Sequence, residues 1–160
     1  ACVGVDFPMT DAKSQASLFA PAAVIDKVAN NDPTLKTVIN HAWSKEDTVA
    51  LADALRMNTT VSAVEIHGVT TQAAVAVATS LEENETVQIF RVVDCGISSK
   101  AIVDPFSANW SVSTLESSLN HIGNDGASTI SGLLRRCESL TSLNLSSNLI
   151  GDAGARAIAN

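Results

Sequence analysis

"LTSLNLSSNLIGDAGARAIAN", Leu140 to Asn160, decides the fold. Leu140, Leu143 and Leu145 follow one another at spacings of three and two, then come Asn148 and Ile150. Gly151 and Gly154 open an Ala-rich stretch of helical character. The pattern is L-x-x-L-x-L-x-x-N-x-I, and it recurs upstream with decay. "VSTLESSLNHI" supplies Val112, Leu115, Ser117, Asn120 and Ile122; "VQIFRVVDCGI" supplies Val87, Phe90, Val92, Cys95 and Ile97. "VSAVEIHGVTT" supplies Val61, Val64, Ile66, Val69 and Thr71; "LKTVINHAW" supplies Leu35, Val38, Asn40 and Trp43. The repeats start near 35, 61, 87, 112 and 140, at steps of 26, 26, 25 and 28 residues.

Within each repeat, positions 3 to 7 alternate as a strand does, so positions 4 and 6 point inward and 3, 5 and 7 outward. Successive strands pair in parallel, and a helix returns the chain between them. "DTVALADALRMN", "TQAAVAVATSLEEN" and "GASTISGLLRRC" are such helices. Asn58, Asn84 and Asn109 close three of them, a place that suits a residue tolerant of left-handed backbone. Pro105 should shorten or kink its helix. "PAAVIDKVANNDPTL" reads as a capping helix ahead of the first strand. The expected division is an extended arm or cap over 1–20 and a repeat domain over 21–160.

These motifs identify the chain as resembling the leucine-rich repeat family, in its helix-containing, ribonuclease-inhibitor-like subtype. The resemblance implies an α/β fold: a right-handed solenoid with a parallel β-sheet on the concave face and helices on the convex face. A narrower resemblance lies in "NNDPTLKTVINHAWSKEDTVALADALRMNTTVSAVEIHG", residues 30–68. Its N-D-P-x-L opening, A-D-A-L helix and N-T-x-V junction are similar to the leucine-rich domain of tropomodulin and leiomodin. That likeness implies capping or nucleation of actin filaments. The family's tropomyosin-binding segments have no counterpart in these residues.

Composition narrows the function classes. Hydrophobic residues make up 46% and aromatics 4%, so the core is aliphatic. Seventeen acidic residues against ten basic give a net charge of -7, the wrong sign for a nucleic acid or an acidic membrane surface. No apolar run approaches the ~20 residues of a membrane helix. Cys2, Cys95 and Cys137 are odd in number and lack C-x-x-C spacing, against a disulfide framework or a zinc site. No basic-then-apolar leader is present, which favours a cytoplasmic or organelle interior and a reducing compartment. The start lacks Met, so the chain is expected to be processed or a fragment.

The outward strand positions make the candidate binding face. Position 3 carries Thr37, Ala63, Ile89, Thr114 and Ser142. Position 5 carries Ile39, Glu65, Arg91, Glu116 and Asn144; position 7 carries His41, His67, Val93, Ser118 and Ser146. Glu65, Arg91 and Glu116 alternate in charge, and Ile39, Ile89 and Val93 are apolar residues close to them. Trp110 stands where other repeats have Thr59, Glu85 and Glu138, and is expected to be exposed to a partner. Trp43 is expected to fill the gap left by Asn40. His41 and His67 share a position on adjacent strands, but no Cys or third His joins them, so no metal or other cofactor is expected. There is no G-x-S-x-G elbow and no convergent pocket, so the chain is not expected to be an enzyme. Asn58, Asn84, Asn109 and Asn144 begin N-x-S/T sequons, which repeat grammar explains without glycosylation.

The expected function is a protein-binding or scaffold module. The partner candidates are Ile39, His41, Glu65, His67, Ile89, Arg91, Val93, Glu116, Asn144 and Trp110. The alternatives are tropomodulin-like actin capping and a regulatory appendage of an enzyme. Because the fifth repeat is the best formed, its edge is expected to be continued by more chain or covered by a neighbour in a larger assembly.

Overall fold

The computed structural model of the chain describes residues 20–106 and 111–159. Helix α1 (Pro21–Ala29) precedes five strand–helix units. These are β1 (Thr37–His41) with α2 (Lys45–Arg56), β2 (Ala63–His67) with α3 (Thr71–Ser80), and β3 (Ile89–Val93) with α4 (Ser99–Phe106). β4 (Thr114–Glu116) with α5 (Gly123–Leu134), and β5 (Ser142–Asn144) with α6 (Asp152–Ala159), complete the series. The strands form one parallel sheet in the order β1-β2-β3-β4-β5. The chain is a right-handed leucine-rich repeat solenoid, with the sheet on the concave face and the helices on the convex face.

Alternation places the core where the pattern requires it. Val38, Val64, Phe90 and Leu115 at position 4, and Ile66 and Val92 at position 6, are buried. They meet Leu51 and Leu55 of α2, Ala73, Ala74 and Val77 of α3, Ile102 of α4, and Ile130 and Leu133 of α5. Small residues on α3 let it lie close to its neighbours. Pro105 falls in the last turn of the eight-residue α4. At position 8 the chain leaves the sheet through left-handed backbone in every unit: Ala42, Gly68, Asp94, Leu119 and Ser147 have φ between 52° and 60°. Only Gly68 takes this conformation without a steric cost from Cβ.

Asparagines stitch one unit to the next. The Asn120 side-chain carbonyl accepts from the backbone N–H of Cys95 and of Ile97, and its amide donates to the Val92 carbonyl. Asn148 repeats this one unit later, donating to the Ser117 carbonyl and accepting from Ile122 N–H. Each therefore serves the turn of the preceding unit. Val69 occupies the same position and has no oxygen to offer the first turn. Asn40 supplies it instead, accepting from Trp43 N–H at 3.0 Å while donating to the Thr48 hydroxyl at 3.0 Å. Asn40 is fully buried, so it leaves no gap for Trp43 to fill. Trp43 is half-buried and packs at the rim of the core.

A second series runs along the helix exits. Asn58 and Asn84 do not adopt left-handed backbone, contrary to expectation. They act through their side chains. Asn58 accepts from Thr60 and Val61 N–H and donates to the Val28 carbonyl. Asn84 accepts from Thr86 and Val87 N–H and donates to the carbonyls of Leu55 and Asn58. Both are buried with their amides engaged, so neither can accept a glycan in the folded chain. Asn109 lies outside the described residues.

Asp32 stands at the equivalent place before β1. Its carboxylate accepts from the hydroxyl and N–H of Thr34 and pairs with Lys27 at 3.2 Å. The Thr34 bonds and Lys27 lower its pKa from 3.8 to about 2. A depressed carboxylate contributes stability that is full above its unfolded pKa and lost as pH falls through its folded one. Asp32→Asn keeps the turn acceptor and removes the titration. Its stability is therefore expected to fall less than wild type between pH 4 and 2, as read by chemical denaturation at each pH.

Candidate functional site

The parallel register assembles the outward rows. Ile39, Glu65, Arg91, Glu116 and Asn144 are consecutive partners across all five strands. His41, His67 and Val93 are consecutive partners one row on. The ladder thus converts residues 25 to 28 apart in sequence into neighbours about 4.8 Å apart.

Arg91 is clamped between two carboxylates. Its Nη1 lies 3.2 Å from Glu65 Oε2 and its Nε lies 3.3 Å from Glu116 Oε2. The second oxygen of each carboxylate is also used. Ser118 Oγ donates to Glu116 Oε1 at 3.0 Å, and Glu65 Oε1 lies 2.5 Å from His67 Nε2. His67 in turn stacks on His41, with ring centroids 4.6 Å apart and planes 25° apart. One connected chain, His41–His67–Glu65–Arg91–Glu116–Ser118, therefore crosses four strands. Its central side chains are half-buried, so solvent screens each pair and a single one contributes about 0–1 kcal/mol. Charge-assisted bonds on both sides of one guanidinium fix its position more firmly than one pair would.

Ile39, Ile89 and Val93 flank this network and are half-buried. Asn144 is exposed and stands apart from the ionic chain; its side chain accepts from Ser146 N–H. Trp110 lies outside the described residues. Sequence reading placed Ser118 on the outward face but not among the partner candidates; it buries itself against Glu116. The same reading did not join Glu65 to His67, although positions 5 and 7 share a face and these two side chains meet.

The chemistry available is ionic and hydrogen-bonding. Among the described residues, no serine or cysteine is hydrogen-bonded to His41 or His67. A shallow groove lies elsewhere, between α3 and α4, beside Thr79, Lys100, Ala101 and Pro105. Among the described residues, no helix is long and apolar enough to cross a membrane.

Comparison with known proteins agrees with this architecture. A model of the Leucine Rich repeat family matches residues 136–159, the unit that reads best in sequence. No curated protein sequence matches significantly. Among solved structures, the chain is similar to one described as "Leiomodin-1 Actin-Binding Site 2 (ABS2)". The TM-score is 0.73 and the identity 24%, over 85% of this chain and 83% of that one. It is also similar to the C-terminal domain of tropomodulin from Caenorhabditis elegans. There the TM-score is 0.75 and the identity 13%, over 88% of this chain and 90% of that one. The chain therefore has a fold like that of the leiomodin and tropomodulin domains, and its last unit matches the leucine-rich repeat pattern.

Proposed function

We propose that the chain is a non-enzymatic binding subunit of a larger assembly and that it takes its protein partner on the concave face. The Arg91 clamp carries this reading. A guanidinium held by Glu65 and Glu116, with Ile39, Ile89 and Val93 beside it, is a prearranged patch of mixed apolar and charged character. Fixed side chains lose little further freedom when a partner docks. Two carboxylates against one guanidinium leave the row net negative, in line with the charge of -7 on the whole chain. The face therefore suits a partner segment bearing basic and apolar side chains. Cys95 and Cys137 are free thiols, which fits residence in a reducing compartment.

Actin is the partner to try first. The support is the likeness to the leiomodin-1 fragment named for an actin-binding site, together with the 30–68 segment whose motifs are similar to that domain. Co-sedimentation with actin filaments and retention on immobilised monomeric actin test it directly.

Arg91→Glu would line up three carboxylates on neighbouring strands and break both pairs. It is expected to weaken the partner by roughly 10-fold or more, because the two ion pairs that hold the patch in place are lost and the three carboxylates push one another apart. Binding by Arg91→Glu and by Trp110→Ala that matches wild type would show that the partner docks elsewhere.

A further inference from the structure

We propose that His41, Glu65 and His67 form a binding site for a divalent transition metal, Zn2+ being the ion their donors suit. Two imidazoles and one carboxylate are a donor set that zinc uses when it keeps a coordination position open. One ligand atom from each of the three residues lies within 4.8 Å of the others. Zinc bonds of about 2.0–2.2 Å place tetrahedral donors roughly 3.3 Å apart, so the most distant donors close in by at most about 1.5 Å while Glu65 Oε1 and His67 Nε2, now 2.5 Å apart, part by about 0.8 Å. The backbone brings them that near by itself. His41 and His67 are paired across β1 and β2, and Glu65 precedes His67 by two residues on the same face.

The stacked rings can open onto a metal without disturbing the core, because His41 is exposed and the other two side chains are only half-buried. Glu65 Oε1 already faces His67 Nε2. A metal there would replace the hydrogen between them. Glu65 Oε2 would stay on Arg91, which Glu116 holds from the other side. That outer pair orients the ligand carboxylate, as partners behind metal ligands generally do. Three protein ligands leave at least one position for water or for a donor from a docked protein. Imidazole donors favour zinc, nickel and copper over magnesium and calcium. The site does not depend on the partner reading above, since it is complete within this chain.

Titration of the metal-free chain with Zn2+ by calorimetry tests the site, with excess Mg2+ present and Co2+ as an optical probe. One Zn2+ per chain is expected, with a Co2+ absorption spectrum of nitrogen and oxygen ligation. His41→Asn with His67→Asn should weaken binding by roughly 100-fold or more, since even an outer partner's loss costs up to that much. Glu65→Gln should weaken it as well. Circular dichroism checks that the variants fold. The absence of one-to-one Zn2+ binding overturns the site. So does full affinity in the double histidine variant or in Glu65→Gln, and so does a thiolate charge-transfer band with Co2+.

Discussion

Asn120→Ala is expected to lower the unfolding free energy by about 3–5 kcal/mol, a large part of the 5–15 kcal/mol typical of a domain. Asn120 is 3% exposed and donates or accepts in five hydrogen bonds. Alanine would leave the N–H groups of Cys95 and Ile97 without that acceptor in a region closed to water, at about 1–3 kcal/mol each. Both groups belong to the preceding unit. The loss therefore falls on the junction between two units rather than on one of them. Asn120→Asp should also destabilise, because a carboxylate would face the Val92 and Ser118 carbonyls that the amide now serves. Asn144→Ala is the control: an exposed site should change stability by no more than about 0.5 kcal/mol. Urea denaturation followed by circular dichroism measures all three. An Asn120→Ala loss as small as the control's would refute the stitching role.

Phe90→Ala should cost about 3–5 kcal/mol, by loss of burial and by the cavity it leaves. Among the described residues, Phe90 is the largest fully buried side chain. The other units place Val38, Val64, Leu115 and Leu143 at its position, so its layer is wider than theirs. Phe106 of α4 fills the rest, with ring centroids 5.6 Å apart and planes tilted by 40°. Phe90→Leu should cost less, about 1.5 kcal/mol or below, since most of the volume remains. A double-mutant cycle with Phe106→Ala should show a coupling of about 0.5–1.5 kcal/mol from the ring pair. Equal losses for Phe90→Leu and Phe90→Ala would argue that the layer does not depend on its volume.

The repeat was legible because a strand with one buried face must alternate, and this chain alternates five times at nearly constant spacing. That regularity fixed the strand order and the rows of the concave face. It did not reveal how side chains in those rows engage one another. The alternating charges of Glu65, Arg91 and Glu116 were visible in the sequence, but not that both acids grip the one guanidinium. Glu65 reaches both Arg91 and His67, and a residue-by-residue reading assigns each side chain one neighbour. The asparagines were recognised as turn residues, but their partners in the neighbouring unit lie 23 to 31 residues away, and no local pattern encodes that distance. Left-handed backbone was expected at Asn58 and Asn84. It occurs instead at Ala42, Asp94, Leu119 and Ser147, whose identities do not announce it. The geometry of the exit from the sheet imposes it on whichever residue stands there.

Cys95 sits in the asparagine row, where its thiol donates to the Val93 carbonyl at 3.2 Å. It is 3% exposed, and burial pushes its pKa up. The reactive thiolate is therefore scarce and also shielded. A labelling reagent must wait until the middle of the solenoid parts, so modification of Cys95 times that opening. Cys137, half-buried in the loop before β5, supplies the reference for a thiol nearer the surface. The substitution of sulfur for an amide at one rung thus gives the chain a built-in clock for its own breathing.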